Sequence, residues 1–260
     1  MGHRLLQNRS RGAAFLCYHS VHDDGPRWLS VAPSLFERQL ETLRGAGWRS
    51  GTETDLEAVA AGTSEGDPTA FLTFDDGYAD NYTTAFPLLR EREMAAMFFL
   101  LPSHLDGGPF EWPEVAEDQR RHPDTMRSLT WHQVEEMAEA GMTFGSHTIT
   151  HRHLPELGDE ELREELLDSR RTIAERLGRC ELLAYPFGHW DARVAAAAKA
   201  TGYSFAFTLP RAHQAETTPW SIPRISVDYR DDERRFATKL RPLARRLYLS
   251  RAKAMLRGGE

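Results

Sequence analysis

Seven short apolar runs alternate with amphipathic stretches along most of this chain, and that rhythm is what most narrows its fold. The runs are residues 13–18 (AAFLCY), 70–74 (AFLTF), 95–101 (AAMFFLL), 142–145 (MTFG), 181–185 (ELLAY), 203–207 (YSFAF) and 221–227 (SIPRISV). Helical patterns fall between them at 33–45, 80–92, 130–140, 159–177 and 191–201. In the longest, acids come first (Asp159, Glu160, Glu161) and Arg170, Arg171 and Arg176 come late, which complements the helix dipole. Strand–helix alternation at this spacing predicts a parallel sheet with helices outside it. That many strands are enough for a closed or nearly closed α/β barrel, whose chemistry belongs at the carboxyl ends of the strands.

Two segments break the rhythm. Residues 102–128 are rich in Pro, Gly and charge without a clear period, which predicts a long inserted loop, either lining a cleft or making a surface excursion. In 233–257, Phe236, Leu240, Leu243 and Leu247 share one helical face, while Arg234, Arg235, Arg241, Arg245, Arg246, Arg251 and Lys253 crowd the others. Pro242 should break or kink that helix. Residues 233–260 hold nine basic and two acidic side chains against an overall charge of −7, so the body carries −14. An acidic body argues against nucleic acid as a partner. The basic tail reads either as a last helix packed on the barrel with a solvated side, or as a peripheral contact with anionic lipid head groups.

The predicted organisation is therefore an N-terminal extension (1–12), a single barrel domain (13–230) and a basic C-terminal helical tail (231–260). Cys17 sits in an apolar run and reads as a buried side chain, and Cys17 and Cys180 form no metal-type cluster. Only six apolar residues follow the early arginines, too few for a secretory signal or a spanning helix. The expected location is cytoplasmic, with the inner membrane face as the place the tail would contact.

Three stretches end strands with chemistry-bearing residues. FLTFDDG puts Asp75 and Asp76 behind an apolar run, with Gly77 to turn the chain. Alone, an acid pair fits a turn or helix cap, Asp80 being the better cap for the helix that follows. GSHTITH sets His147 and His151 four apart directly after MTFG, with His153 as an alternative further from the strand end. Two imidazoles and one carboxylate on a barrel rim make a three-ligand metal site with open positions, and the second carboxylate can accept a proton from water. LLAYPFGHWD gives a rigid turn in which Tyr185, Pro186, Phe187 and Trp190 either offer a wall with aromatic faces to a sugar ring or pack the turn's two aromatics into the core.

TFDDG (73–77), H-T-x-x-H (147–151) and A-Y-P-F-G (184–188) together resemble, in order and type, the polysaccharide deacetylases of carbohydrate esterase family 4. The resemblance covers about residues 13–227 and implies a distorted (β/α)7 barrel. It implies a divalent metal, most often zinc with nickel, cobalt or manganese as alternatives, and hydrolysis of an N-acetyl group from an amino sugar. Carried over by motif, Asp75 is the general base, Asp76, His147 and His151 hold the metal, and the backbone N–H of Tyr185 helps hold the oxyanion. The chain departs from the commonest pattern in two places. Leu182 and Leu183 stand where an arginine usually braces the base, with only Arg179 nearby, and the usual C-terminal Leu-x-His source of the general acid is missing. His19, in CYHSV, resembles the N-terminal Tyr-His of the poly-N-acetylglucosamine deacetylase branch and is the first candidate acid, with His189 and His213 as rivals. Arg224, in IPRIS, is the candidate brace for Asp75. Relatives of the family also deformylate lipid-linked sugars or open small cyclic amides, and a non-catalytic glycan-binding module is the reading from outside enzymology.

Overall fold

The computed structural model describes residues 12–63, 67–110, 112–210, 217–242 and 244–245. Its elements run β1 (Ala13–Tyr18), α1 (Pro33–Gly45), β2 (Arg49–Ser50), α2 (Glu53–Ala61), β3 (Thr69–Phe74), α3 (Phe86–Glu91), β4 (Met97–Leu100), α4 (Ala116–Arg121), α5 (Trp131–Glu139), β5 (Thr143–Ser146), α6 (Asp159–Leu177), β6 (Leu182–Ala184), α7 (Ala192–Thr201), β7 (Phe205–Thr208), β8 (Ile222–Pro223), β9 (Ile225–Ser226) and α8 (Glu233–Leu240). Helix starts follow their local chemistry: Thr130 and Gln133 cap each other's backbone at α5, and Glu161 reaches back to the Gly158 N–H at α6. Gly178 ends α6 in the left-handed region, φ 82°, where a side chain would be strained.

All the strand pairings are parallel, in the order β8-β7-β6-β5-β4-β3-β1-β9, with β2 added beside β3. The two ends of that order belong to one short segment. Ile222 and Pro223 pair with Phe207 and Thr208 of β7, and Ile225 and Ser226 pair with Leu16 and Cys17 of β1. Residues 222–226 thus change neighbours at Arg224 and draw the sheet round into the distorted (β/α)7 barrel that the sequence predicts.

Side chains alternate across the strands. Phe71, Met97, Phe99, Leu182, Ala184 and Phe207 fill the interior, with Leu56 of α2 packed against them. Leu72, Phe74, Phe98, Leu100, Leu183 and Tyr185 face the helices in the larger layer. The 80–92 pattern divides into a π turn at Asn81–Ala85 and then α3, where Pro87 occupies the first helical turn. Asp80 makes no side-chain cap there, contrary to the sequence expectation. Residues 102–128 are not a free excursion: they hold α4, bridge Tyr78, Asp106 and Pro109 to Ser128, Thr130 and Arg127, and pack Phe110, Trp112, Val115 and Met126 with Tyr78 and Leu29.

The described part of the tail packs on the body. Phe236 and Leu240 are buried, and α8 stops before Pro242, with Arg241 already extended. Arg245 is not on a solvated basic face; it is buried over Trp48 and donates to the Ala13 carbonyl, 2.6 Å. Leu243, Leu247, Arg246, Arg251 and Lys253, like residues 1–11 and His213, lie outside the described residues. No helix among the described residues is long and apolar enough to cross a membrane.

The β5–β6 seam leaves no room at Gly145, where an added Cβ would lie 2.7 Å from the Leu182 carbonyl oxygen and 2.8 Å from Phe99. Gly145→Ala should lower unfolding stability by about 1–3 kcal/mol. A urea midpoint equal to the parent's would contradict that packing.

Candidate metal centre and acid–base site

The residues of the site leave the barrel at the carboxyl ends of β1, β3, β5 and β6. The Asp75 N–H continues the ladder to the Tyr18 carbonyl, 3.0 Å, and the chain then turns sharply, with Asp76 at φ 71° and Gly77 at φ 75°. His147 likewise extends β5, its N–H on the Leu100 carbonyl at 2.7 Å. Its ring Nδ1 lies 2.8 Å from the Ala184 carbonyl, an acceptor only, so the proton sits on Nδ1 and the Nε2 lone pair faces the site. His147 Nε2 lies 3.3 Å, and His151 Nε2 3.4 Å, from the same Asp76 Oδ1.

All three side chains are buried, their donor atoms fall within 4.8 Å of one another, and Asp76 Oδ1 has no hydrogen-bond partner. A buried, unpartnered carboxylate oxygen between two imidazole nitrogens fits a divalent cation with two nitrogen ligands and one oxygen ligand. Burial pushes His151 down to about 3 and keeps it neutral, the form that ligates. At His147 burial acts the same way, but the Asp75 and Asp76 carboxylates outweigh it and the net shift is upward. His153 stays outside this group. Its Nδ1 faces His189 Nδ1 at 2.9 Å and its Nε2 faces Glu114 at 3.2 Å.

The loop carrying His151 is strained, with Thr148 at φ 73° and His151 at φ 63°, and it is held from α6. Glu165, buried on the inner face of that helix, accepts from the Ile149 N–H at 2.9 Å and the Thr150 N–H at 3.0 Å, and bonds the Thr150 hydroxyl. Ser169 binds the Ser146 hydroxyl at 2.7 Å, and Ser146 in turn accepts from the Thr148 N–H at 3.0 Å. Glu165 was not among the sequence candidates. Its signal was an acid in the apolar row of a helix, at Leu162, Glu165, Leu166, Ser169, Ile173.

Asp75 is engaged differently. Arg224 grips it with two bonds, Nη1 to Oδ1 at 2.6 Å and Nη2 to Oδ2 at 2.7 Å, and also donates to the Thr73 hydroxyl at 3.0 Å. The guanidinium is fully buried, 5.5 Å from the Phe99 ring centre and 5.8 Å from that of Phe207. Burial alone would raise the Asp75 pKa, but the Arg224 charge and bonds hold it below the usual carboxylate range. Arg179 does not reach the site; it pairs with Glu53.

His19 follows β1 at the rim, half-buried. One ring nitrogen, the Cys17 sulfur and an Asp75 oxygen lie within 4.8 Å of one another. That trio lacks the chemistry of a metal site. Burial raises the Cys17 thiol well above its ordinary value, and Arg224 already occupies both Asp75 oxygens.

The aromatic surround differs from the sequence expectation. Residues 182 and 184 point inward, so Tyr185 points outward, fully buried in the helix-side layer with its hydroxyl on the Trp220 carbonyl at 2.9 Å. Its backbone N–H is spent on the Phe207 carbonyl at 3.0 Å and cannot also serve an oxyanion. Trp190 is half-buried and stacks on Tyr185 at 6.4 Å, packed against that same layer. Pro186 is a buried corner, and of the four only Phe187 meets the site, its ring edge-on to His151 at 4.5 Å and stacked on His153 at 4.1 Å. The second aromatic wall is Trp112 from the inserted loop, stacked on His151 at 4.5 Å. Trp112, Glu114, His151, Arg152, His153 and Glu156 line an open cleft of about 310 Å³ beside the ligands.

The barrel rim thus brings together a buried His–His–Asp group that fits a divalent ion and an arginine-held second aspartate that can accept a proton. The family model for polysaccharide deacetylase matches residues 62–206, and the chain belongs to that family; it is an enzyme, a deacetylase. It is 29% identical over 217 residues to YxkH of Bacillus subtilis, spanning 82% of this chain and 70% of that one. It is also 29% identical over 145 residues to the poly-beta-1,6-N-acetyl-D-glucosamine N-deacetylase of Escherichia coli, covering 53% of this chain but 20% of the longer protein. Among solved structures, the Streptococcus pyogenes deacetylase PplD in complex with acetate superposes with a TM-score of 0.73 at 22% identity, over 88% of this chain and 98% of that one.

Breaking a buried ion pair by removing one partner strands the other charge. Arg224→Met should cost about 3–5 kcal/mol of folding stability, read from denaturant unfolding. A loss under about 1 kcal/mol would mean that the pair is solvated rather than buried.

Proposed function

We propose that the protein hydrolyses the N-acetyl group of an amino sugar within a glycan or glycan precursor, with N-acetylglucosamine units as the first substrate class to test. The observation that carries this reading is the division of labour between two adjacent aspartates: Asp76 turned to His147 and His151, Asp75 gripped by Arg224. Support for the sugar comes from the family and from the named activity of the E. coli relative, together with the Trp112 and Phe187 rings beside the site.

Asp76, His147 and His151 would hold the divalent ion, with zinc the first expectation for this donor set. When bound, it supplies a Lewis acid that polarises the acetyl carbonyl and draws a water beside it towards ionisation. Asp75, ionised at neutral pH, takes a proton from the attacking water as its oxygen adds to the acetyl carbon. Arg224 fixes the Asp75 carboxylate in one plane, so the acceptor lone pair is already aimed and needs no reorganisation. His19 gives a proton to the departing nitrogen as the C–N bond breaks, leaving acetate and a free sugar amine. Trp112 and Phe187 exclude water around His151 and offer apolar faces to the ring.

The test is acetate and formate release from N-acetylated and N-formylated glucosamine oligomers by zinc-loaded enzyme. Acetate release from the former is expected, and release of formate alone would replace deacetylation with deformylation. Asp75→Asn should lower turnover by at least about 100-fold with metal stoichiometry unchanged. Loss of metal in that variant would mean that the two acids exchange roles. His151→Ala should lose most of its metal by elemental analysis, and unchanged stoichiometry would remove it from the ligand set.

A further inference from the structure

The motif that begins with the two site aspartates continues through Tyr78 and Ala79 to a second polar pair, Asp80 and Asn81. Both side chains are buried, and Asp80 forms no helix cap. A carboxylate withdrawn from water without a structural bond to its own helix needs partners elsewhere. Its partners are on the first rim loop: Oδ2 accepts from the Ser20 hydroxyl at 2.7 Å, and Oδ1 accepts from the Val21 N–H at 2.8 Å. The Asn81 amide nitrogen donates to that same Oδ1 at 3.1 Å and to the His19 carbonyl at 2.8 Å. The loop is also tied to itself, with the Ser30 hydroxyl on Ser20 at 3.1 Å and the Val31 N–H on the Ser20 carbonyl at 3.0 Å.

Three consecutive residues, 19, 20 and 21, are therefore each gripped at a different atom: a carbonyl, a hydroxyl and an N–H. Such a clamp fixes the backbone from which the His19 ring projects. The clamp lies on the chain that leads out of Asp75 and Asp76, so the imidazole and the carboxylates are referenced to one rigid segment. The π turn at Asn81–Ala85 keeps Asn81 aimed back at the loop instead of along a regular helix face.

We propose that Asp80 and Asn81 are positioning residues of the hydrolysis, acting through His19 by fixing the backbone at residues 19–21. The inference rests on the reading of His19 as proton donor. A catalytic group displaced by about 1 Å can lose about 100-fold in rate. Neither residue touches the metal ligands, so metal content should be indifferent to their loss.

The experiment is a double-mutant cycle on the zinc-loaded full chain, with turnover, KM, zinc stoichiometry and melting temperature read together. Asp80→Ala should lower kcat by about tenfold or more with KM and zinc unchanged. In a His19→Ala background the same change should lower kcat no further. Asp80→Asn keeps an oxygen for Val21 and a nitrogen within reach of the Ser20 hydroxyl, so it should restore most of the rate. If Asp80→Ala fails to fold, Ser20→Ala removes one bond of the clamp, and its loss of kcat should likewise vanish without His19. Equal losses with and without His19 would overturn the proposal, as would loss of zinc in step with rate. Undiminished turnover in His19→Ala alone would overturn the reading of His19 itself, an outcome visible before any Asp80 variant is compared.

Discussion

The pairing of Arg224 with Asp75 is the constraint on which the architecture and the chemistry both turn. Arg224 stands at the point where the last strand stops pairing with β7 and starts pairing with β1. Its side chain enters the barrel interior there, over Phe99 and Phe207, and meets the first residue beyond β3. Two charges withdrawn from water are a net cost unless the geometry is good and the remaining donors are used. Here both Asp75 oxygens are engaged by a planar fork and Nη1 also reaches the Thr73 hydroxyl, while Nε is left buried without a partner. A lysine could not supply that fork. The segment that draws the sheet into a barrel is thus the same segment that keeps a carboxylate ionised at its mouth.

Around that pair, the rim loops are held by side chains that themselves avoid water. Glu165 gathers the N–H groups of residues 149 and 150, and Asp80 gathers the hydroxyl and N–H of residues 20 and 21. Of the non-glycine residues with positive φ, Asp76, Thr148, His151 and Phe187 all lie at this rim, and Glu93 is the exception among the described residues. Left-handed conformations cost energy at ordinary side chains and persist only where neighbours over-determine them. Between Thr148 and His151 the buried Glu165 of α6 holds the loop, because its carboxyl replaces the lost water contacts of residues 149 and 150.

Much of this was legible in the sequence, for reasons that differ by element. The barrel was readable because strand alternation is a long signal repeated seven times, and α1 and α6 match their predicted limits of 33–45 and 159–177. The cluster of Asp76, His147 and His151 was readable because these residues are chemically distinctive and follow apolar runs. By contrast, β2 is two residues long and carries no period, and α2 is marked only by its Thr52–Asp55 capping box. Glu165 showed only as an acid in the apolar row of α6 and Asp80 only as a candidate cap, and neither signal says which loop such a side chain would hold. Which face of a turn an aromatic presents is equally hidden, and the core position of Tyr185 emerges only from the strand register.

In LLAYPFG, strand alternation sends Leu182 and Ala184 inward and Leu183 and Tyr185 outward, so the first aromatic of the turn belongs to the core. Pro186 then lets the chain swing over, and Phe187, at φ 57°, comes back above His151. The ring that faces Phe187 across His151 is Trp112, from a segment with no counterpart in the strand–helix rhythm. The same segment sends Glu114 to His153, closing one side of the cleft. The barrel therefore fixes the charged groups of the site, to within the tolerance of its hydrogen-bonded strands. The walls come from two sources, Phe187 from the turn beyond β6 and Trp112 from the inserted loop, so the shape of the cleft depends on residues 102–128 as well as on the barrel.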